Sequence, residues 1–234
     1  MLTENKFGKY LIYAIGEIFL VVIGIYLAIQ FNNWNVKNQN KDVISNNIEL
    51  LITSLEKDSL GFNQMQVYID QDKAKLSNIE FRLNQPTSNL DTLVKIVRYD
   101  YRPFIGKINL DNDDTYTALV QSGEINLFNR VLKNQLFSLY SLHKRAEESD
   151  KIHFELYIDW WTRLNSKYAP NFSALKEGPI SKAIWENATL IDLANAFNPV
   201  IISKKNHYRL INYDLNKLIK ETNNILGKLK ESKK

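Results

Sequence analysis

The sequence predicts an all-α protein whose amino-terminal transmembrane helix continues into a bundle of long helices. Three observations predict it. Residues Tyr10 to Ile29 read YLIYAIGEIFLVVIGIYLAI, twenty residues that are apolar or small except for Glu17; as a helix they measure about 30 Å, the thickness of a bilayer core. Beyond them, apolar residues recur in alternating steps of four and three, the signature of an amphipathic helix with one buried seam. Finally, the 234 residues include no cysteine, so disulfide staples, thiolate catalysis and cysteine-ligated metals are excluded and the fold rests on helix packing.

The chain divides into a short tail (1–9), the transmembrane helix (10–30), a polar juxtamembrane junction (31–41) and a helical-bundle domain (42–234). A cleaved signal peptide would have a shorter apolar run ending in a small-x-small site. Here Gln30, Asn32, Asn33, Trp34 and Asn35 follow instead, polar groups with one indole, the composition of a headgroup boundary; Asn32, Asn33 and Trp34 are the expected interface anchors. Lys6 and Lys9 before the span balance Lys37 and Lys41 after it, so the positive-inside count is a tie. The short first tail favours an inside amino terminus and an outside bundle.

Glu17 is the one charge in the span, and an ionised side chain near the middle of a membrane helix costs about 2.5–3.5 kcal/mol. On a helical wheel Tyr13, Gly16, Glu17, Leu20, Gly24 and Ala28 share a face, and Gly24-x-x-x-Ala28 is a small-x-x-x-small pair that lets a second helix approach closely. Three readings stand side by side: a protonated carboxyl satisfied within its own helix or by headgroup water, a contact with another membrane helix, and part of a proton path.

Residues 9 to 35, KYLIYAIGEIFLVVIGIYLAIQFNNWN, resemble the opening of a family of single-span membrane proteins common in Bacteroidota, which carry a similar apolar segment with Gly-Glu inside it and Asn-Asn-Trp-Asn after it. TYTALVQSGEINLF, residues 115 to 128, is similar to a second recurring segment of that family. The resemblance implies a bacterial cytoplasmic-membrane anchor with a periplasmic domain. It implies no activity.

The bundle reads as follows. Ile44, Ile48, Leu51, Leu55, Phe62, Met65, Ile69, Leu76, Ile79 and Leu83 mark a long helix from Asp42 to Asn84 that Gly61 is able to bend. Asp58 and Asp72 take seam positions and read as register breaks at a partly wet seam. Pro86 ends the helix, and Ser88 with Asp91 restarts it in capping-box style through about Arg98. The span 99–114 is the least helical, with a short strand near Ile105 to Leu110. The run Asp111-Asn112-Asp113-Asp114 lacks the glycine and glutamate of a calcium loop and reads as an acidic helix start, followed by helix from Thr115 to Gln121 stopped by Ser122-Gly123. Helix returns from Phe128 to Tyr168, as one element or as two broken near Glu148 to Asp150. Gly178-Pro179 turns the chain into a helix over Ile180 to Phe197; Asn198-Pro199 breaks it, and a final helix begins at Pro199 and packs against the first.

Few residues suggest chemistry. Tyr157, Trp160, Trp161 and Tyr168 form either a ligand-stacking platform or core. His143 and Glu147, four apart, read as a solvated ion pair, two ligands being too few for a metal. No phosphate loop, nucleophile elbow or His-Glu-x-x-His occurs, so no catalytic residue, metal ligand or cofactor is assigned and the reading leans away from an enzyme. The net charge of +4 is concentrated at the end: residues 204–234 hold nine basic and three acidic residues, against 19 and 21 in residues 31–203. If the last helix runs back along the first, Lys228, Lys230, Lys233 and Lys234 approach the lipid headgroups, at about 1 kcal/mol each. Nucleic acid is disfavoured, because the basic residues lack aromatic interleaving. The expected partners are the lipid bilayer and a membrane protein or a second copy bound through the span; a small-molecule ligand is unknown. The reading is a membrane-anchored scaffold or accessory subunit, with a periplasmic sensor or ligand-binding module as the alternative.

Overall fold

The computed structural model describes residues 4–107 and 114–232, with side chains described from Tyr10 onward. The described residues are all-α, with six α-helices and no strand. Helix α1 spans Glu4–Leu83 as one element of 80 residues, so the apolar stretch, the polar junction and the bundle's first helix are continuous, and Gly61 does not interrupt it. One helix of the described chain, near the amino terminus, is long and apolar enough to cross a membrane.

The end of α1 is set by Pro86, whose ring disfavours helix in the preceding residue. Ser88 Oγ donates to the Arg82 carbonyl at 2.5 Å, taking up one of the acceptors a helix end leaves over. Ser88 is therefore not the next N-cap. Asn89 is: its side chain accepts from the Thr92 N–H at 3.1 Å and opens α2, Leu90–Lys95. A wider π-turn over Ile96–Asp100 follows, closed by the Tyr101 N–H on the Ile96 carbonyl at 2.8 Å. Residues 101–107 then carry no regular secondary structure, so the described part of the strand expected near Ile105 to Leu110, residues 105–107, is not a strand; 108–110, like the acidic residues 111–113, lie outside the described residues. Asp114 opens α3, Asp114–Gln121, which stops as expected at Gly123, held at φ 78°, where a side chain would be strained.

A short 3₁₀ turn, Glu124–Leu127, leads into α4, Arg130–Lys167, capped by Asn129 and unbroken at Glu148 to Asp150. Helix α5 covers only Gly178–Glu186. The break falls at residues 187–189, where Thr189 Oγ1 accepts from the Asp192 N–H at 3.2 Å, and not at Asn198-Pro199. Helix α6, Leu190–Ser232, runs straight through Pro199.

Helix α6 packs against both α1 and α4. Its pairings with α1 run from Glu56–Lys230 through Ser59–Asn223 and Gln66–Asn212 to Asp72–Lys204, one number rising as the other falls, so the last helix packs against the first as expected, and does so antiparallel. Arg145–Asp214, Asp150–His207 and Lys167–Asp192 give the same sense for α4. The core lies along this axis: Leu51, Leu55, Phe62 and Ile69 of α1 meet Tyr208, Leu215, Leu218 and Ile225 of α6, all buried, and Phe62 packs edge-on to His143 of α4 at 5.8 Å.

Residues 101–107 form an irregular strap that touches all three long helices. Tyr101 packs edge-on to Phe197 of α6 at 5.1 Å and against Trp161 of α4 at 5.8 Å. Lys107 Nζ sits 3.9 Å above the Phe154 ring. Gly106 lies so close to α1 that a Cβ there would fall 2.8 Å from Met65 Sδ and 2.8 Å from the Tyr68 ring. Gly106→Ala is expected to cost about 1–2 kcal/mol through this overpacking, read as a lowered melting temperature of the bundle. An unchanged melting temperature would mean that the strap does not seat against α1 as described.

Candidate functional site

Two regions stand out once the fold is in place: the amino-terminal part of α1, which the chain leaves bare, and a polar cluster at the centre of the bundle.

Every residue from Tyr10 to Lys37 is exposed. Tyr13, Gly16, Glu17, Leu20, Gly24 and Ala28 lie on this bare helix, and a Cβ added at Gly16 or Gly24 would meet nothing within 4 Å. The small residues of that face are therefore not used inside the chain. Asn32, Asn33 and Trp34 are helical and exposed, with the Trp34 ring 5.7 Å from Phe31. Burial begins at Asn47 and Leu51, where Asn47 Nδ2 also donates to Glu124 at 2.7 Å.

Of the terminal lysines, Lys233 and Lys234 lie outside the described residues. Lys228 borders an open apolar groove with Ile44, Ile48, Val131 and Leu229. Lys230 pairs with Glu56 at 2.7 Å, both about half exposed. Glu56 is about 27 residues past Ile29, roughly 40 Å along a straight helix, so α6 comes back towards the apolar stretch and ends above the polar junction.

The aromatic set does not form one platform. Tyr157, Trp161 and Tyr168 follow each other at helical spacing, whereas Trp160 points to the neighbouring face, under Arg163 at 5.4 Å. Tyr157 is fully buried and its hydroxyl is 2.9 Å from that of Tyr101 and donates to the Pro103 carbonyl at 2.6 Å. Tyr168 is buried and stacks on Trp185 at 5.6 Å. His143 is likewise buried, between Phe62 and Tyr140, not solvated beside Glu147.

The central cluster was not anticipated as a unit. Lys204 is fully buried, pairs with Asp72 at 2.7 Å and donates to the Arg102 carbonyl at 2.7 Å; Tyr208 donates to the same carboxylate at 2.8 Å. Asp72 was read as a break in a partly wet seam, yet it is 6% exposed and its charge is met by a lysine from α6. Burial lowers the Lys204 ammonium, with Asp72 opposing the change. Burial and then the Asp72 charge raise the Tyr208 phenol, and burial raises those of Tyr101 and Tyr157, so all three phenols stay protonated. One turn on from Lys204, fully buried His207 faces Asp150 of α4 at 3.4 Å. Burial, with His153, Lys204 and Lys107 nearby, brings the imidazole down to about 4 against the pull of the Gly106 backbone. The seam positions of Asp72 and Lys204 were a signal available in the sequence; the meeting of Tyr101 with Tyr157 was not.

Chemically the cluster is a lock. Its members are buried and occupied with one another, so it offers no face to a substrate. Among the described residues no group of three metal-ligating side chains converges. No family model, curated protein or solved structure matches this chain.

Two outcomes follow from the cluster. Lys204→Met leaves the Asp72 carboxylate buried without its cation and is expected to destabilise the bundle by about 3–5 kcal/mol, while Lys204→Met with Asp72→Leu recovers much of the loss; equal melting temperatures for wild type and Lys204→Met would refute the lock. For His207, a folded value of about 4 lies below the ordinary 6.5, so the unfolded chain binds the proton first. Stability is complete above pH 6.5 and declines as pH falls towards 4, by ~2 kcal/mol between pH 7.5 and 5. Denaturant titrations at the two pH values should show this slope in the wild type and lose it in His207→Leu.

Proposed function

We propose that the chain is a membrane-anchored helical scaffold or accessory subunit that binds a protein partner through its span, with the bundle held clear of the bilayer on the stalk of α1. The observation that carries this reading is the contrast along one helix: α1 is bare from Tyr10 to Lys37 and buried against α6 from Leu51 onward. A membrane satisfies the apolar side chains of the bare part, but not Glu17. A second helix seated on Gly24 and Ala28 supplies the polar contact and the close packing together. The resemblance of residues 9–35 to single-span proteins of Bacteroidota agrees with a cytoplasmic-membrane anchor and a periplasmic bundle. Nothing in the buried cluster calls for an enzyme, and the scaffold reading needs no catalytic residue.

A photoreactive residue placed at Leu20, on the same face but not one of its small positions, in native membranes, tests this. It is expected to give one discrete crosslinked product, at least several-fold weaker in Glu17→Leu and retained in part by Glu17→Gln, which keeps a hydrogen-bonding side chain. Labelling of lipid alone, unaffected by either variant, would refute a helix partner. The size and composition of the product distinguish a second copy from a different membrane protein.

A further inference from the structure

Beyond the apolar stretch, α1 carries a second row of apolar side chains that the chain leaves uncovered. Leu60, Val67, Ala74 and Phe81 recur every seventh residue and all are exposed, Leu60 by 61% and Phe81 by 66%. The first three each stand two positions before a core residue, Leu60 before Phe62, Val67 before Ile69 and Ala74 before Leu76, which turns the row about 160° away from the core. Gln64, Gln71 and Asn78 lie between them, also exposed. Taken together, Leu60, Gln64, Val67, Gln71, Ala74, Asn78 and Phe81 run in uninterrupted steps of four and three, a heptad seam with apolar residues at d and carboxamides at a.

The residues of this seam match their own copies. In a parallel two-fold pair each a or d residue meets itself, so a charge on the seam would face its like. From Leu60 to Phe81 the seam holds no charge. Each carboxamide has a donor and an acceptor and therefore pairs with its own kind, and a polar a position of this sort selects one register. Lys57, the preceding a position, is where the seam stops. The flanks agree. In a parallel pair a g residue faces the e residue that follows it on the other helix, which sets Asn63 against Tyr68, Asp70 against Lys75 and Ser77 against Arg82. The one combination with two charges joins opposite signs, and Asp70 and Lys75 are both exposed. Within its own helix Asp70 reaches Lys73 at 4.0 Å and Gln66 at 3.0 Å, on the surface, where such contacts are readily exchanged.

The span points the same way. Because α1 is one unbroken helix, Leu60 follows Gly24 by about ten turns and Ala74 follows Leu20 by about fifteen. When the Glu17 face is turned to a neighbouring helix, the seam faces the same neighbour. We propose that this neighbour is a second copy of the chain, the two copies lying parallel and touching through the span and again from Leu60 to Phe81. The proposal rests on the scaffold reading and names its partner: two copies anchored in one bilayer in the same orientation have only a parallel pairing open to them. Anchoring also raises their effective concentration, so a seam that is half polar closes once the spans are paired. Between the two contacts the same side of α1 carries Asp42 and Glu49, and that stretch stays hydrated.

The chain has no cysteine, so single cysteine substitutions in the full chain report the contact directly. On mild oxidation of native membranes, Val67→Cys and Ala74→Cys are expected to give disulfide-linked dimers in at least about five-fold higher yield than Lys73→Cys, which is exposed but off the seam. Asp70→Lys should lower the Ala74→Cys yield several-fold by setting like charges against each other, and Asp70→Lys combined with Lys75→Asp should restore it, a rescue that a merely damaged fold does not give. No dimer at either seam position, equal yields on and off the seam, or a loss that the charge exchange fails to restore would each overturn the proposal. The two readings separate cleanly. A crosslink from Leu20 to a different protein, with no dimer at Val67, leaves the scaffold reading standing and ends this one. Dimers at Val67 that Glu17→Leu does not diminish uphold the parallel pair and remove Glu17 from it.

Discussion

The Asp72–Lys204 pair fixes how the bundle is assembled. An apolar seam of leucines and isoleucines repeating in steps of four and three is nearly as content after a slip of one heptad as before it, because each apolar side chain meets another apolar side chain. A buried carboxylate and a buried ammonium are not. Moved by one turn, each loses the counter-charge it meets in the buried interior, at a cost of several kcal/mol. The pair therefore does for α1 and α6 what a buried polar residue does in coiled coils: it adds little net stability and selects one register. Because Lys204 also holds the Arg102 carbonyl, the same ammonium positions the strap, and through Tyr101 and Tyr157 the strap joins α4 to the pair.

The rest of the packing follows from that anchor. Helix α6 is central, with α1 and α4 on its two flanks, and the strap lies where it touches both of them as well as α6. The other ion pairs between α1 and α6, Lys230–Glu56 and Lys205–Glu80, are a third to a half exposed; pairs of that kind contribute between nothing and about 1 kcal/mol. They trim the register without setting it.

Much of the architecture was legible in the sequence. The seam of α1 was readable from Ile44 to Leu83, and so was the packing of a long last helix against it, whereas the antiparallel sense of that packing is fixed by pairs such as Asp72–Lys204 and Glu56–Lys230. The stop at Gly123 was readable because only glycine tolerates a left-handed backbone there. Other features were hidden for physical reasons. Asn198-Pro199 looked like a break, yet a proline in a long, well-packed helix costs one hydrogen bond, and the buried Phe197, Val200 and Ile201 on either side hold the helix together. The true break came at Thr189, a residue whose capping is only apparent once Asp192 is seen to lie one turn on. Of the aromatic set close in sequence, Tyr157, Trp160 and Trp161 belong to α4, whereas Tyr168 follows the end of that helix and stacks on Trp185. Tyr101 and Tyr157 are 56 residues apart, and no local pattern announces such a contact. Of the bare face of α1, the sequence showed the residues, and the structure adds that the chain does not cover them.

The continuity of α1 has a mechanical consequence. Eighty helical residues without a break make a rod of about 120 Å, and roughly 80 Å of it lies beyond Ile29. With the apolar stretch seated in a bilayer as proposed, such a rod would be a lever whose fulcrum is the headgroup layer. Membrane helices commonly tilt by about 20°, and a change of only 10° at the fulcrum carries the far end of the bundle sideways by about 14 Å. Small adjustments of the apolar segment, to bilayer thickness or to a neighbouring helix, are thereby magnified into displacements larger than a helix diameter at the opposite tip.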